Sequence, residues 1–215
     1  DKPTTFETFD SLNAIIKSVD FHERSAHRRR GRKNFGIAIF SKHKMISKGD
    51  ITFDNQGEMD FNYCIYADIV TQKDTFRIYN VHLQSIRLTE PGSKAKEQIV
   101  STIKESGVKL RNAYLKRAGQ SRKVLSHIQK SPYPVVVCGD FNDTPISYTY
   151  QQFNSKLTDA FRATSWGIGS SYLGRIPAGR IDYFFYSDGV LPYAFKTHDV
   201  HFSDHRPITC SFTFE

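Results

Sequence analysis

An α/β fold is predicted for this chain of 215 residues, and three observations predict it. Short apolar runs rich in β-branched and aromatic residues, such as residues 36–41 and 135–137, read as strands. Residues 93–131 change to apolar positions three or four apart, the repeat of a helix. Strands then resume, so a helical stretch is interposed between strands, the order of a layered α/β domain. Within that order, Val135, Val136 and Val137 read as a central strand buried on both faces, and it stops at Gly139-Asp140-Phe141-Asn142. Polar residues beyond the carboxyl end of such a strand lie where open α/β sheets place their ligands.

Taken in order, Phe6, Phe9, Leu12, Ile15 and Ile16 form a helical stripe that starts at Thr8 or Ser11 and is expected to lie on a sheet face. Residues 21–34 carry His22, Arg24, His27, Arg28, Arg29, Arg30, Arg32 and Lys33 and read as a solvated basic loop. Strands follow over 36–41, 61–70 and 75–83, the last two joined by a turn at Lys73-Asp74. In the helical stretch, Ile99, Val100, Ile103, Leu110, Tyr114, Ala118, Leu125 and Ile128 hold the repeat, and Gly107 is expected to divide it into two helices. Its lysines and arginines read as a solvent face. A short helix follows Pro145, with Asp143 or Thr144 as its cap in the plainest reading. Residues 164–179, rich in Gly and Ser, read as a loop, and strands resume over 180–186, 193–195 and 207–214.

This length suits a single domain over residues 1–215, large enough to bury a core without disulfides. Lys and Arg number 30 against 22 Asp and Glu, and the formal charge of +8 suits a polyanionic partner: nucleic acid, a phosphorylated small molecule or an acidic membrane surface. Cys64, Cys138 and Cys210 lie far apart in apolar runs and read as buried thiols, not as a disulfide or metal framework. No apolar run approaches the roughly 18 residues that span a bilayer, and no signal-peptide pattern opens the chain. Localisation stays open: a soluble domain, alone or as part of a longer membrane-anchored protein.

The chemistry-bearing residues stand at strand ends. Side chains alternate along a strand, so Asp140 and Asn142 share a side if the extended conformation continues, as do His82 and Gln84. Asp182 lies in the 180–186 strand, and Asp204-His205 precede the last strand. Each has a plain structural reading. Asp140 and Asn142 can shape a turn, His82 can be a packing residue, Asp182 can pair with Arg180 or Arg206, and Asp204-His205 can be a turn before Pro207. A zinc cluster of His198, His201, Asp204 and His205 ranks lower, because residues three apart fall on opposite faces of a strand.

Together, Asn80-Val81-His82-Leu83, Gly139-Asp140-Phe141-Asn142, Arg180-Ile181-Asp182-Tyr183 and Ser203-Asp204-His205-Arg206-Pro207-Ile208 resemble the motifs of the endonuclease/exonuclease/phosphatase superfamily of metal-dependent phosphoesterases, in its bacterial phosphatase-like branch. The 36–41 strand resembles the Gly-containing strand that precedes them. The resemblance implies a four-layer α/β sandwich, two packed β-sheets flanked by helices. It implies that Asp140 orients or deprotonates the attacking water, that Asn142 positions the phosphate by hydrogen bonds, and that His205 contacts the phosphoryl oxygens with Asp182 orienting its ring. It further implies phosphate contacts from His82, with Gln84 beside it, and a link from Asp204 to the metal or leaving group. The implied cofactor is Mg2+ or Mn2+, held by Asp204, Asp140 and Asn142, and the implied substrate is a phosphate ester, with nucleic acid included. These residue types suit the tasks: a carboxylate accepts a proton, an amide donates to oxygen, and a charged imidazole neutralises a phosphoryl group. The alternative is a non-catalytic module that binds nucleic acid or another polyanion through its charge.

The family opens with a strand ending in Asn and a second ending in Gln-Glu, whose Glu is the principal metal ligand, and neither occurs here. Glu7 and Glu23 are acidic residues without a preceding apolar strand. The expectation is therefore an N-terminally truncated sandwich with weakly bound magnesium and little turnover. Its 36–41 strand is expected to keep an open edge through which the chain self-associates.

Overall fold

The computed structural model describes residues 8–27, 34–53, 62–86, 96–174 and 179–215. The basic residues 28–33, with Phe6 and Glu7, lie outside them. The elements in order are α1 (Thr8–Ile16), β1 (Asp20–His27), β2 (Asn34–Ser41), β3 (Lys44–Ile51), β4 (Tyr63–Val70), β5 (Thr75–His82) and α2 (Lys96–Ile128). They continue with β6 (Val135–Asp140), α3 (Tyr148–Asn154), β7 (Thr158–Asp159), α4 (Ala160–Thr164), β8 (Asp182–Tyr186), β9 (Val190–Thr197) and β10 (Ile208–Phe214).

Six strands form one sheet in the order β3-β4-β5-β6-β8-β7. Only β5 and β6 run parallel, joined through α2, while the remaining pairs are antiparallel. One face of the sheet carries Tyr79, Val81, Val137, Tyr183 and Phe185, which pack on Val124, Leu125 and Ile128 of α2 and on Phe153 of α3. The other face is covered by two hairpins. Ile37 and Ile39 of β2 pack over Ile65, Ala67 and Ile78, and Phe195, Ile208 and Phe212 of β9 and β10 pack over Phe184 and Tyr186 beside α4. This is the α/β sandwich expected from the resemblance, with its second sheet layer divided into the pairs β1-β2 and β10-β9.

Several local expectations are corrected. Residues 20–27 form strand β1, registered against β2 from Asp20 opposite Ser41 to His27 opposite Asn34, where a basic loop was expected. Its polar sequence hid it, because backbone pairing needs no apolar side chain. Phe21 stacks on Phe40, and His22 reaches Asp50 at 2.9 Å. Helix α2 runs unbroken through Gly107, where a Cβ would meet nothing within 4 Å. A glycine on an open helix face costs only about 1 kcal/mol and does not end a helix that packing supports. Helix α1 does form, but Leu12 and Ile15 are 36% and 74% exposed, so no sheet face covers this part of its apolar stripe. Helix α3 starts from the cap Ser147, whose side chain accepts from Tyr150 N, and not from Asp143 or Thr144. Strand β3 was not read, since Lys44, Lys48 and Gly49 interrupt its alternation.

Candidate active site

The pairing register assembles a polar row. On β5 and β6, His82 stands opposite Asp140, and on β6 and β8, Asp140 stands opposite Asp182. Neighbours in register share a face, so His82, Asp140 and Asp182 line up where the three strands meet. The next row, Asn80, Cys138 and Phe184, points toward the hairpins: Asn80 Nδ2 donates to Ala38 O of β2 at 3.0 Å, and Phe184 packs beside β9 and β10. The polar row therefore opens on the hairpin side.

Gly139 permits this close approach. Its φ is 131°, and a Cβ there would lie 2.1 Å from Val81 O, so no other residue fits without moving β5. Asn142 then adopts a left-handed φ of 52°, a conformation that Asn tolerates better than most residues. The extended conformation does not continue past Asp140. The turn brings Asn142 back, with its backbone N donating to Asp140 Oδ1 at 2.8 Å and its Nδ2 donating to Asp140 Oδ2 at 2.9 Å and Leu83 O at 3.0 Å. Both amide hydrogens are engaged, so Asn142 holds Asp140 in place.

His205 arrives from the segment before β10. Ser203 Oγ accepts from its backbone N at 2.9 Å, and its ring meets the Tyr172 ring edge-on at 5.2 Å. Nδ1 donates to Asp182 Oδ2 at 2.8 Å. The plain alternatives for Asp182 are spent elsewhere: Arg180 pairs with Asp159 at 2.6 Å and Arg206 with Asp199 at 3.0 Å. His82 Nε2 lies 3.8 Å from Asp140 Oδ2. Five of the seven expected residues, His82, Asp140, Asn142, Asp182 and His205, thus share one site. Asp204 is exposed beside His205, and its charge acts on both His205 and Asp140. The Gln84 side chain closes on Ser85 O at 3.1 Å, and no hydrogen bond joins it to the cluster. His198 turns to Thr209 and His201 to Asp199, and among the described residues they form no zinc cluster.

The electrostatics follow from this placement. Burial, with the Asp182 carboxylate next to it, raises the Asp140 carboxyl to about 7, although the Asn142 hydrogen bond opposes the rise. The hydrogen bond that its Nδ1 donates to Asp182 holds the His205 ring charged up to about 9, against the burial that disfavours it. One donor atom each from Asp140, Asp182 and His205 lies within 4.8 Å of the others. The two carboxylates suit a hard divalent cation whose shell is completed by water or phosphate, while the charged His205 ring has no lone pair to offer it.

Residues 5–205 match the model of the Endonuclease/Exonuclease/phosphatase family. The chain belongs to this family. Comparison with curated proteins gives no match. The fold resembles a Bacteroides thetaiotaomicron mannosyl-6-phosphatase, with TM-score 0.64 at 15% identity over 95% of this chain and 80% of that one. It also resembles the human Nocturnin catalytic domain with bound sulfate, with TM-score 0.66 at 17% identity over 98% and 77%. A third likeness is D. rerio TDP2 complexed with a single-strand DNA product, with TM-score 0.61 at 17% identity over 95% and 81%. Family membership makes the chain a hydrolase of phosphoesters, in a family that is generally dependent on divalent metal.

The sequence reading missed the residues behind the site. Arg117 is fully buried and Gln120 and Asp143 nearly so, with Arg117 Nε donating to Asp143 Oδ2 at 2.9 Å. A signal existed, since Ala113, Arg117, Ser121, Val124 and Ile128 form the buried stripe of α2. An arginine on such a stripe is rarely solvated.

Proposed function

We propose that this chain is a divalent-metal-dependent phosphoesterase in which Asp140 activates water and the His205-Asp182 pair stabilises the phosphoryl transition state. What supports this reading above all is the convergence of His82, Asp140, Asp182 and His205, which come from four separate segments, on the open end of one sheet. Asp140, held near 7 by burial, orients the water and takes its proton at a working pH near neutral. His205, kept cationic by Asp182, faces the phosphoryl oxygens as negative charge grows on them. His82 adds a second contact, and Asn142 fixes the Asp140 carboxylate. A direct phosphate contact from the Asn142 amide requires it to release Leu83 O.

Magnesium or manganese, when bound, would neutralise charge on the phosphoryl and leaving oxygens. Asp140 and Asp204, with the Asn142 carbonyl oxygen, would hold it, and Asp182 offers a further carboxylate oxygen at the same place. With so few oxygen ligands among the described residues, weak affinity and slow turnover are expected. The substrate class is a phosphate monoester or diester. A mannosyl-6-phosphatase and a DNA-bound TDP2 share the fold, so sugar phosphates and nucleic acid both belong in the test. Gln84, if it takes part, contacts the substrate beyond the phosphate. Among the described residues no helix is long and apolar enough to cross a membrane.

The second reading, a polyanion-binding module without catalysis, rests on the charge of +8. A panel of DNA, RNA, phosphosugars, inositol phosphates and phospholipids, each with Mg2+, Mn2+ or a chelator, separates the two. Metal-dependent release of phosphate or of a cleaved product is expected. Binding to nucleic acid with no cleavage of any member would favour the module.

A further inference from the structure

Arg117 sits in the middle of α2 with its side chain fully enclosed, on a stripe whose other members are small or apolar. Its guanidinium spans two segments that are far apart in sequence. Nη1 donates to Gln84 O at 2.8 Å, two residues past His82, and Nε donates to Asp143 Oδ2 at 2.9 Å, next to Asn142. One turn along the helix, Gln120 Oε1 accepts from the Gln84 backbone N at 2.9 Å. Tyr183 OH lies 2.8 Å from Asp143 O and 2.7 Å from Arg180 O and shares its one proton between them, tying the start of β8 to the same point. The chain leaving β5, the chain leaving β6 and the approach to β8 are thus fastened to one buried cluster directly behind the polar row.

Stability alone does not account for this arrangement. Among the described residues Arg117 Nη2 and Gln120 Nε2 are buried and find no hydrogen-bond partner, and each unmade bond is a cost that an apolar residue on this stripe would avoid. The guanidinium fork instead offers fixed geometry, since one rigid plane reaches both strand exits. We infer that Arg117, assisted by Gln120, is a positioning residue that sets the spacing of His82, Asp140 and Asn142 by clamping the exits of β5 and β6 to α2. The inference rests on the phosphoesterase reading for its purpose, though the clamp itself is a matter of geometry. Asn142 Nδ2 bonds Leu83 O, and Leu83 N bonds Asp140 O at 2.9 Å, so a shift at Gln84 or Asp143 passes directly to the carboxylate.

The test combines Arg117→Lys, which keeps the charge but loses the fork, with the milder Gln120→Met, which serves where the lysine variant does not fold. Asp68→Asn is the control, because Asp68 is also buried and ion-paired, with the half-buried Arg77, but the pair lies where Arg77 opposes Val135, at the opposite end of β6 from Asp140. Two readouts are taken: amide exchange at Leu83 and Asn142, and hydrolysis of bis(p-nitrophenyl) phosphate with Mg2+. In a clamp variant, exchange at both amides is expected to quicken about tenfold or more while distant strands keep their protection. In the same variant kcat is expected to fall about tenfold or more with KM within about twofold. Asp68→Asn, at a similar loss of melting temperature, is expected to leave both readouts near wild type. Unchanged exchange at Leu83 and Asn142, or the same kcat loss in Asp68→Asn, would overturn the inference. If the wild-type chain hydrolyses no phosphoester, the functional reading fails, and the clamp stands or falls on the exchange data alone.

Discussion

Asp182 accepts a hydrogen bond from His205 Nδ1 at 2.8 Å, while Arg180, two residues away on the same segment, turns to Asp159 instead. Oδ2 of the carboxylate is thereby reserved for the imidazole. That partner fixes the tautomer and favours the charged ring, so Asp182→Asn removes the charge that holds His205 protonated. The ring is expected to titrate nearer the ordinary histidine range in an NMR titration. The rate on an active phosphoester substrate is expected to fall by about 100-fold or more, the scale of acid–base and charge-stabilising groups. A variant with an unchanged His205 titration would show that the pair does not control the ring.

Both shifted groups act on stability in the same direction. The Asp140 carboxyl is raised in the fold to about 7 from 3.8, so its contribution is complete at acid pH and is lost as pH rises through 7. His205 is raised to about 9 from 6.5, so its contribution is complete below 6.5 and is lost as pH rises through 9. Urea denaturation without metal is therefore expected to give a midpoint that declines from pH 4 toward pH 9, to the extent that these groups govern it. His205→Gln is expected to flatten the upper part. Activity follows another course, rising as Asp140 ionises and falling as His205 loses its proton, with apparent values that belong to the coupled site.

Gly139→Ala tests the close approach of β5 and β6. With φ at 131° and a Cβ 2.1 Å from Val81 O, the substitution forces either a backbone change at Asp140 or a parting of the two strands. A loss of about 2–4 kcal/mol is expected in chemical denaturation, together with loss of hydrolysis. The same substitution at Gly107, where a Cβ meets nothing, is expected to be neutral or slightly stabilising.

Much of this was legible in the sequence, and the failures have physical causes. The Val135 run, the Asp140-Asn142 pair and the later Asp182 and His205 could be read because buried strands are apolar and their ends are not. The row itself was not legible. That His82, Asp140 and Asp182 stand side by side depends on pairing register, which is set by contacts remote in sequence. Asn142 was placed by alternation, but a left-handed turn placed it differently. Strand β1 was hidden because its side chains are mostly polar and its order comes from backbone bonds to β2. Arg117 was hidden among the many basic residues of α2, where composition does not separate a buried cation from solvated ones and only its place on the buried stripe marks it.

The hairpins leave open edges. Among the described residues, β2 pairs only with β1 and β10 only with β9, so each strand keeps a free side on the same face of the large sheet. Unpaired edges are templates for another chain. Concentration-dependent self-association is expected in sedimentation velocity, with exchange protection gained at residues 36–41 on assembly. A strict monomer at high concentration would contradict this.

The most direct measurement is metal-dependent phosphoester hydrolysis by Asp140→Asn beside the unmodified chain, at enzyme concentrations that resolve slow turnover. The substitution keeps shape and nearly keeps volume while removing the group that takes the proton. Its amide still meets Asn142 through one oxygen, so the fold is expected to persist, as circular dichroism and the unfolding midpoint will report. The unmodified chain is expected to turn over a phosphoester only when Mg2+ or Mn2+ is present, and the variant to lose about 100-fold or more of that rate. Equal rates in a folded variant, or a rate in the unmodified chain that a chelator leaves untouched, would contradict the assignment of Asp140 and of metal-assisted hydrolysis to this site.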